Sequence, residues 1–170
     1  MELLRNRTFW NGWRCLLLFW IVLCLVACTS ERSKVEVALT SMQACSIVLP
    51  FDRMYCRIGG KDTIISDEME ANLKMIVYVD SSECTPCAID QLQRWNTFIE
   101  ASKKYRGKMK YVFIVAPKRE QYEDACLSIE YSNLKSPIYV DTSFVFRHIN
   151  RNIPNSKRFH TFCLIKTIRL

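Results

Sequence analysis

Glycine and proline are scarce in this chain of 170 residues, four and five respectively, and no Lys/Arg block is longer than two. The first shortage excludes collagen-like repeats and low-complexity disorder. The second excludes a basic arm for nucleic acid, despite a formal charge of +7. Also missing are an internal repeat, a Pro/Gly/Ser linker long enough to divide the chain, and apolar runs of the kind a multi-span membrane protein needs. What is present, 49% hydrophobic and 24% charged residues, describes one ordinary globular domain. The positive charge reads as solubility and attraction to anionic lipid. Nine cysteines are too few for a disulfide-packed miniprotein and too many to ignore in a protein that leaves the cytosol, so the compartment has to be settled first.

Arg5, Arg7 and Arg14 precede an uncharged apolar run from Cys15 to Ala27. These 13 residues fit the apolar core of a signal peptide and fall short of the roughly 20 that a spanning helix requires. The run ends Leu25-Val26-Ala27-Cys28, which resembles the lipobox of bacterial lipoproteins. There a small residue admits the peptidase and the following thiol accepts the diacylglycerol. The expected organisation is therefore a signal peptide over residues 1–27, a lipid anchor on Cys28 with a polar tether over 28–34, and a folded domain over 35–170. A signal anchor ending by chance in a cysteine is the alternative.

Val35, Leu39, Met42 and Ser46 follow helical spacing, and Ile47-Val48-Leu49 before Pro50 reads as a short strand. Gly59-Gly60 marks a turn, with Thr63-Ile64-Ile65 a candidate strand after it. The pattern sharpens at Met75-Ile76-Val77-Tyr78-Val79, a continuous apolar, partly β-branched run expected of a strand buried on both faces. After the polar turn Asp80-Ser81-Ser82-Glu83, Pro86 sits where a first helical turn tolerates it. Ala88, Ile89, Leu92, Trp95, Phe98 and Ile99 then recur at helical spacing, predicting one long amphipathic helix that stops at Gly107. Tyr111 to Val115 predicts a second buried strand, Tyr122, Ala125, Cys126 and Ile129 a second helix, and Pro137-Ile138-Tyr139-Val140 a third strand. A short helical piece around Phe144 to Ile149 and an apolar run from Phe159 to Ile165 complete the pattern. Strands alternating with helices imply an α/β fold built on a βαβ unit with parallel strands.

Cys84-Thr85-Pro86-Cys87 falls where the first buried strand feeds the long helix. A zinc knuckle would need a second ligand pair at related spacing, but Cys28, Cys45, Cys56, Cys126 and Cys163 are scattered singly and both histidines are distant. At a helix N-terminus, free N–H groups and the positive end of the dipole favour an anion. The Cys84 thiolate should therefore be stabilised, with Cys87, one turn in, as its shielded partner. A structural staple in an exported binding module is the competing reading of the same pair.

The strand, the C-x-P-C and the helix together resemble the thioredoxin-like superfamily. With the lipobox and N-terminal extension (35–72), the chain is similar to its membrane-tethered thiol-disulfide oxidoreductases of the TlpA/ResA type. The resemblance implies a thioredoxin-like fold around a central mixed sheet, Cys84 as nucleophile and Cys87 as resolving cysteine. It implies protein thiols and disulfides as partners, contact with the bilayer through Cys28, no nucleic acid and no cofactor. The setting would be an extracytoplasmic, membrane-anchored lipoprotein of a Gram-negative bacterium, and Pro86 points toward a reductant.

Several residues depart from the family pattern. Glu83 replaces the usual tryptophan before the dithiol and would oppose the dipole. Tyr78 replaces the buried acid beneath it. His160 occupies the position of the cis-proline in the loop facing the dithiol, where its imidazole would stabilise the Cys84 thiolate, complete a weak metal site, or point to solvent. Only Lys166 to Leu170 follow the last apolar run, so the final hairpin strand and closing helix are expected to be lacking. A peroxidase is disfavoured because Thr85 follows the first cysteine instead of preceding it. A copper chaperone resembling the Sco type would fit two thiolates and one distant histidine, though its cysteines are spaced by three residues, not two. Cys126 and Cys163 read as buried small hydrophobes, Cys45 and Cys56 as a conceivable disulfide, His148 as surface or satisfied core, and Trp95 as helix core.

Overall fold

A computed structural model describes residues 16–21, 31–63, 71–105 and 108–165 of the chain, which divides into two compact units meeting after Ser46. The charged residues Arg5, Arg7 and Arg14, the tetrad ending at Cys28, the Ile64-Ile65 pair, the helix stop at Gly107 and the segment after Ile165 lie outside the described residues. In the first unit, residues 16–21 and 31–43 are helical, and Val35, Ala38 and Met42 are its half-buried positions. Among the described residues no helix is long and apolar enough to cross a membrane.

The second unit is an α/β domain on one six-stranded mixed sheet. Its strands are β1 (Tyr55–Ile58), β2 (Lys61–Asp62), β3 (Leu73–Val79), β4 (Met109–Val115), β5 (Ile138–Val140) and β6 (Thr161–Ile165), in the spatial order β2-β1-β5-β4-β3-β6. β3, β4 and β5 run parallel; β1 joins β5, and β6 joins β3, antiparallel. The helices are α1 (Thr85–Leu92), α2 (Asn96–Ser102), α3 (Tyr122–Tyr131) and α4 (Val145–Ile149).

The continuous apolar runs follow from cover on both faces. Register aligns Val77, Phe113 and Ile138 on one face and Tyr78, Ile114 and Tyr139 on the other, and all six are buried. The first face packs on Ile89 and Leu92 of α1 and on Ala125 and Ile129 of α3. On the second, the ring of Tyr78 packs at a tilt, 5.0 Å from that of Phe146 of α4, and Phe51 lies 4.6 Å from Tyr139. Asp141 starts α4 by accepting from the amides of Val145 and Phe146, beside Phe144 in the left-handed region at φ 55°.

Four local expectations change. The single long helix is broken: a 3₁₀ turn at Gln93–Trp95 separates α1 from α2, and a second 3₁₀ turn spans Lys103–Tyr105. The break places Trp95 against Tyr111 and Phe113 of β4, half-buried beside the core. Residues 47–49 form no strand. Asn150 stands in for the missing ladder partner, accepting from the Val48 amide and donating to the Val48 carbonyl, both at 2.8 Å. The hairpin around Gly59-Gly60 joins β1 to β2, so the strand after the turn is Lys61–Asp62, one step before Thr63. Gly60 is required there. Its φ is +77°, and a Cβ would come within 2.7 Å of Glu130 Cγ. Finally, Cys163 is exposed, because β6 is an edge strand whose alternate residues face out.

Candidate functional site

The polar turn after β3 carries the dithiol into α1. Asp80 shapes it, its side chain accepting from the Ser82 amide at 2.8 Å and its carbonyl from the Glu83 amide at 3.1 Å. Cys84 is then the N-cap of α1, with extended backbone, and Pro86 occupies the first turn, where its missing N–H leaves no helical bond unmade. Cys84 and Cys87 are joined in a disulfide with Cα atoms 5.4 Å apart. The bridged pair lies off the carboxyl end of a central parallel strand, the end at which open α/β sheets place their sites.

Cys87 is not the shielded partner that the sequence suggested, because both half-cystines are exposed. The shielded residue is Thr85, fully buried between them. Its hydroxyl donates at 3.0 Å, and its amide at 3.4 Å, to the side-chain oxygen of Gln121, on the 3₁₀ turn preceding α3. The motif is thus tied down through its middle residue. Gln121 carries no local signal in the sequence, since the contact spans 36 residues.

Glu83 also acquires a partner. Its Oε2 lies 2.7 Å from Lys157 Nζ, on a 3₁₀ turn (Lys157–Phe159) that leads directly into His160 and β6. The loop that the family resemblance set opposite the dithiol is therefore attached to the dithiol turn, by Lys157. The peptide bond before His160 is trans, as are the other described ones.

His160 does not point to solvent. Only 3% exposed, its ring packs edge-on against Tyr78 at 5.2 Å, while its carbonyl accepts from the Tyr78 amide at 2.8 Å. Neither ring nitrogen completes a hydrogen bond of good geometry. Burial lowers the imidazole pKa below its ordinary value, with Asp80, the Pro154 carbonyl and Glu83 opposing the shift and Arg147 aiding it. A neutral ring supplies no charge to a thiolate. Tyr78 is likewise held protonated, its pKa raised by burial, then by Asp80 and Asp141, so it is no substitute for a titrating acid near neutral pH.

Among the described residues the remaining cysteines are free. Cys45 and Cys163 are exposed, Cys126 is half-buried, and Cys56 is buried. Burial raises the Cys56 pKa, partly offset by its hydrogen bond with Tyr139. His148 is exposed on α4. Among the described residues no three His, Cys, Asp or Glu side chains gather as a metal site. Comparison with protein-family models, with curated proteins and with solved structures gives no match.

Proposed function

We propose that this protein is an exported, lipid-anchored thiol-disulfide oxidoreductase of thioredoxin-like fold, with Cys84 as nucleophile and Cys87 as resolving cysteine. The observation that carries the reading is the exposed Cys84–Cys87 disulfide at the N-terminus of α1, directly beyond buried β3. Parallel β4 on one side of β3 and antiparallel β6 on the other support the thioredoxin-like assignment.

In the reducing direction, the Cys84 thiolate attacks one sulfur of a substrate disulfide, breaking its S–S bond and releasing the other sulfur as a thiolate. Cys87, deprotonated, then attacks Cys84 Sγ in the mixed disulfide and expels the second substrate thiolate. Two electrons pass from the dithiol to the substrate, the substrate thiolates take up two protons, and the Cys84–Cys87 bridge remains. Running backwards, the bridge oxidises a substrate dithiol. Placement at the helix N-terminus favours the Cys84 anion in either direction. The substrates are protein thiols and disulfides outside the cytoplasm, within reach of a bilayer held through Cys28.

A Cys87→Ser chain, unable to resolve, should accumulate a mixed disulfide on Cys84 with a disulfide-containing peptide, and Cys84→Ser should not. The Cys84/Cys87 couple should have a potential near the roughly −270 mV of thioredoxin. A value below about −300 mV together with no trapped adduct would identify a structural bridge and end this reading.

A further inference from the structure

The residue before the nucleophile is an acid, and the structure supplies its counter-charge from a distant loop. Glu83 is only 16% exposed at its side chain, and its Oε2 is 2.7 Å from the ammonium of Lys157. The pairs Lys34–Glu31 and Lys103–Glu100 instead join residues three apart, between side chains at least 40% exposed. Such surface pairs contribute little. Lys157–Glu83 differs on both counts, because it links the β3–α1 turn to the lead into β6 and its carboxylate is largely withdrawn from water.

We infer that Lys157 is a positioning residue of the dithiol: by pairing with Glu83 it neutralises the carboxylate beside Cys84 and keeps that sulfur reactive as an anion. This rests on the redox reading above and deepens it. A lone carboxylate next to a thiol disfavours the thiolate, as a like charge does at any titrating site. With its charge balanced, the helix N-terminus acts on Cys84 unopposed. The departure from the family pattern at position 83 is thereby compensated within the same fold. Other charged or titratable groups on the elements around the turn are Tyr78 on β3, Asp80 in the turn itself, Asp90 on α1, Arg119 and Glu120 beside Gln121, Glu123 and Asp124 in the first turn of α3, Arg147 on α4, Arg158 on the Lys157 turn and His160 after it. Of these, His160 is held toward its neutral form, and none is paired with Glu83 in the way Lys157 is.

The test follows the alkylation of Cys84 by iodoacetamide against pH, read by mass spectrometry on the full chain in a Cys87→Ser background. A charge within a few ångströms of a titrating group moves its pKa by about one to three units when sheltered, and less where water screens it, as it does here at the exposed ammonium. Lys157→Met should therefore slow alkylation at pH 7 by about threefold to tenfold and move the profile to higher pH. Lys157→Arg should keep the wild-type profile, and Glu83→Gln should speed the reaction. The Lys157→Met/Glu83→Gln double variant should return to within about twofold of wild type, which is the signature of electrostatic coupling. With the dithiol intact, Lys157→Met should make the couple more reducing, about 30 mV for a tenfold change. An unmoved profile in Lys157→Met overturns the inference. So does a Glu83→Gln chain that slows as Lys157→Met does, with no recovery in the double variant, since that pattern marks a pair holding only loop structure. Failure of the redox reading has a separate signature: the wild-type chain would exchange no disulfide with the peptide at all, whereas exchange with an unmoved profile refutes Lys157 alone.

Discussion

His160 should make the stability of the domain fall as the pH drops below the ordinary histidine value of about 6.5, in a way that one substitution removes. Its ring is 3% exposed, with both nitrogens short of a good partner, and burial depresses its pKa against the partial opposition of Asp80, Pro154 and Glu83. A base whose pKa is lower in the folded state binds fewer protons there than when unfolded. Stability is then fully present above the unfolded value of about 6.5 and falls as the pH drops from there toward the folded value. Each unit of depression corresponds to about 1.4 kcal/mol lost on the acid side. His160→Phe keeps an aromatic ring against Tyr78 and removes the two buried nitrogens, each unsatisfied group costing about 1–3 kcal/mol in general. The variant should therefore equal or exceed the wild type at pH 8, and its advantage should widen as the pH falls below about 6.5. Urea midpoints at pH 5, 6, 7 and 8 measure this. The experiment is clean because the chain has only two histidines and the other, His148, is exposed. Parallel curves for wild type and His160→Phe would show that burial does not hold the ring neutral, and the reasoning would fail.

Asn150→Ala removes three hydrogen bonds, two to the Val48 backbone and one to the Phe146 carbonyl, from a side chain that is 1% exposed. It should cost about 2–3 kcal/mol in urea unfolding, at about 1 kcal/mol per bond with water replacing part of it at half-exposed Val48; a loss below about 0.5 kcal/mol would mean the segment around Val48 is not anchored this way. Expressed in a bacterium, the wild-type chain should incorporate labelled palmitate and Cys28→Ala should not, and a labelled Cys28→Ala product would refute the lipobox.

Much of the sheet was legible because its strands are buried on both faces. Met75 to Val79, Tyr111 to Val115 and Ile138 to Val140 are continuous apolar runs, and all three became parallel strands with both faces covered. β1 was not legible for the opposite reason. Its four residues run exposed, buried, half-buried, exposed, with no apolar run to mark them, and only pairing with β5 and β2 makes them a strand. The break between α1 and α2 escaped notice because the apolar spacing is the same through a 3₁₀ turn over so few residues. Residues 47–49 have the composition of a strand, yet their ladder partner is a single asparagine side chain about a hundred residues away.

By itself the sequence determined the α/β class, the parallel core strands and the position of the Cys84/Cys87 pair at the start of a helix. These depend on local periodicity and on which residues a first helical turn accepts. Tertiary structure decided what surrounds that pair. It buried Thr85 under Gln121, exposed both half-cystines, set Lys157 on Glu83 and folded His160 onto Tyr78. The physical reason is range: periodicity acts over a few residues along the chain, whereas the charge and burial of a site are set by groups that meet only when distant turns close onto one end of the sheet.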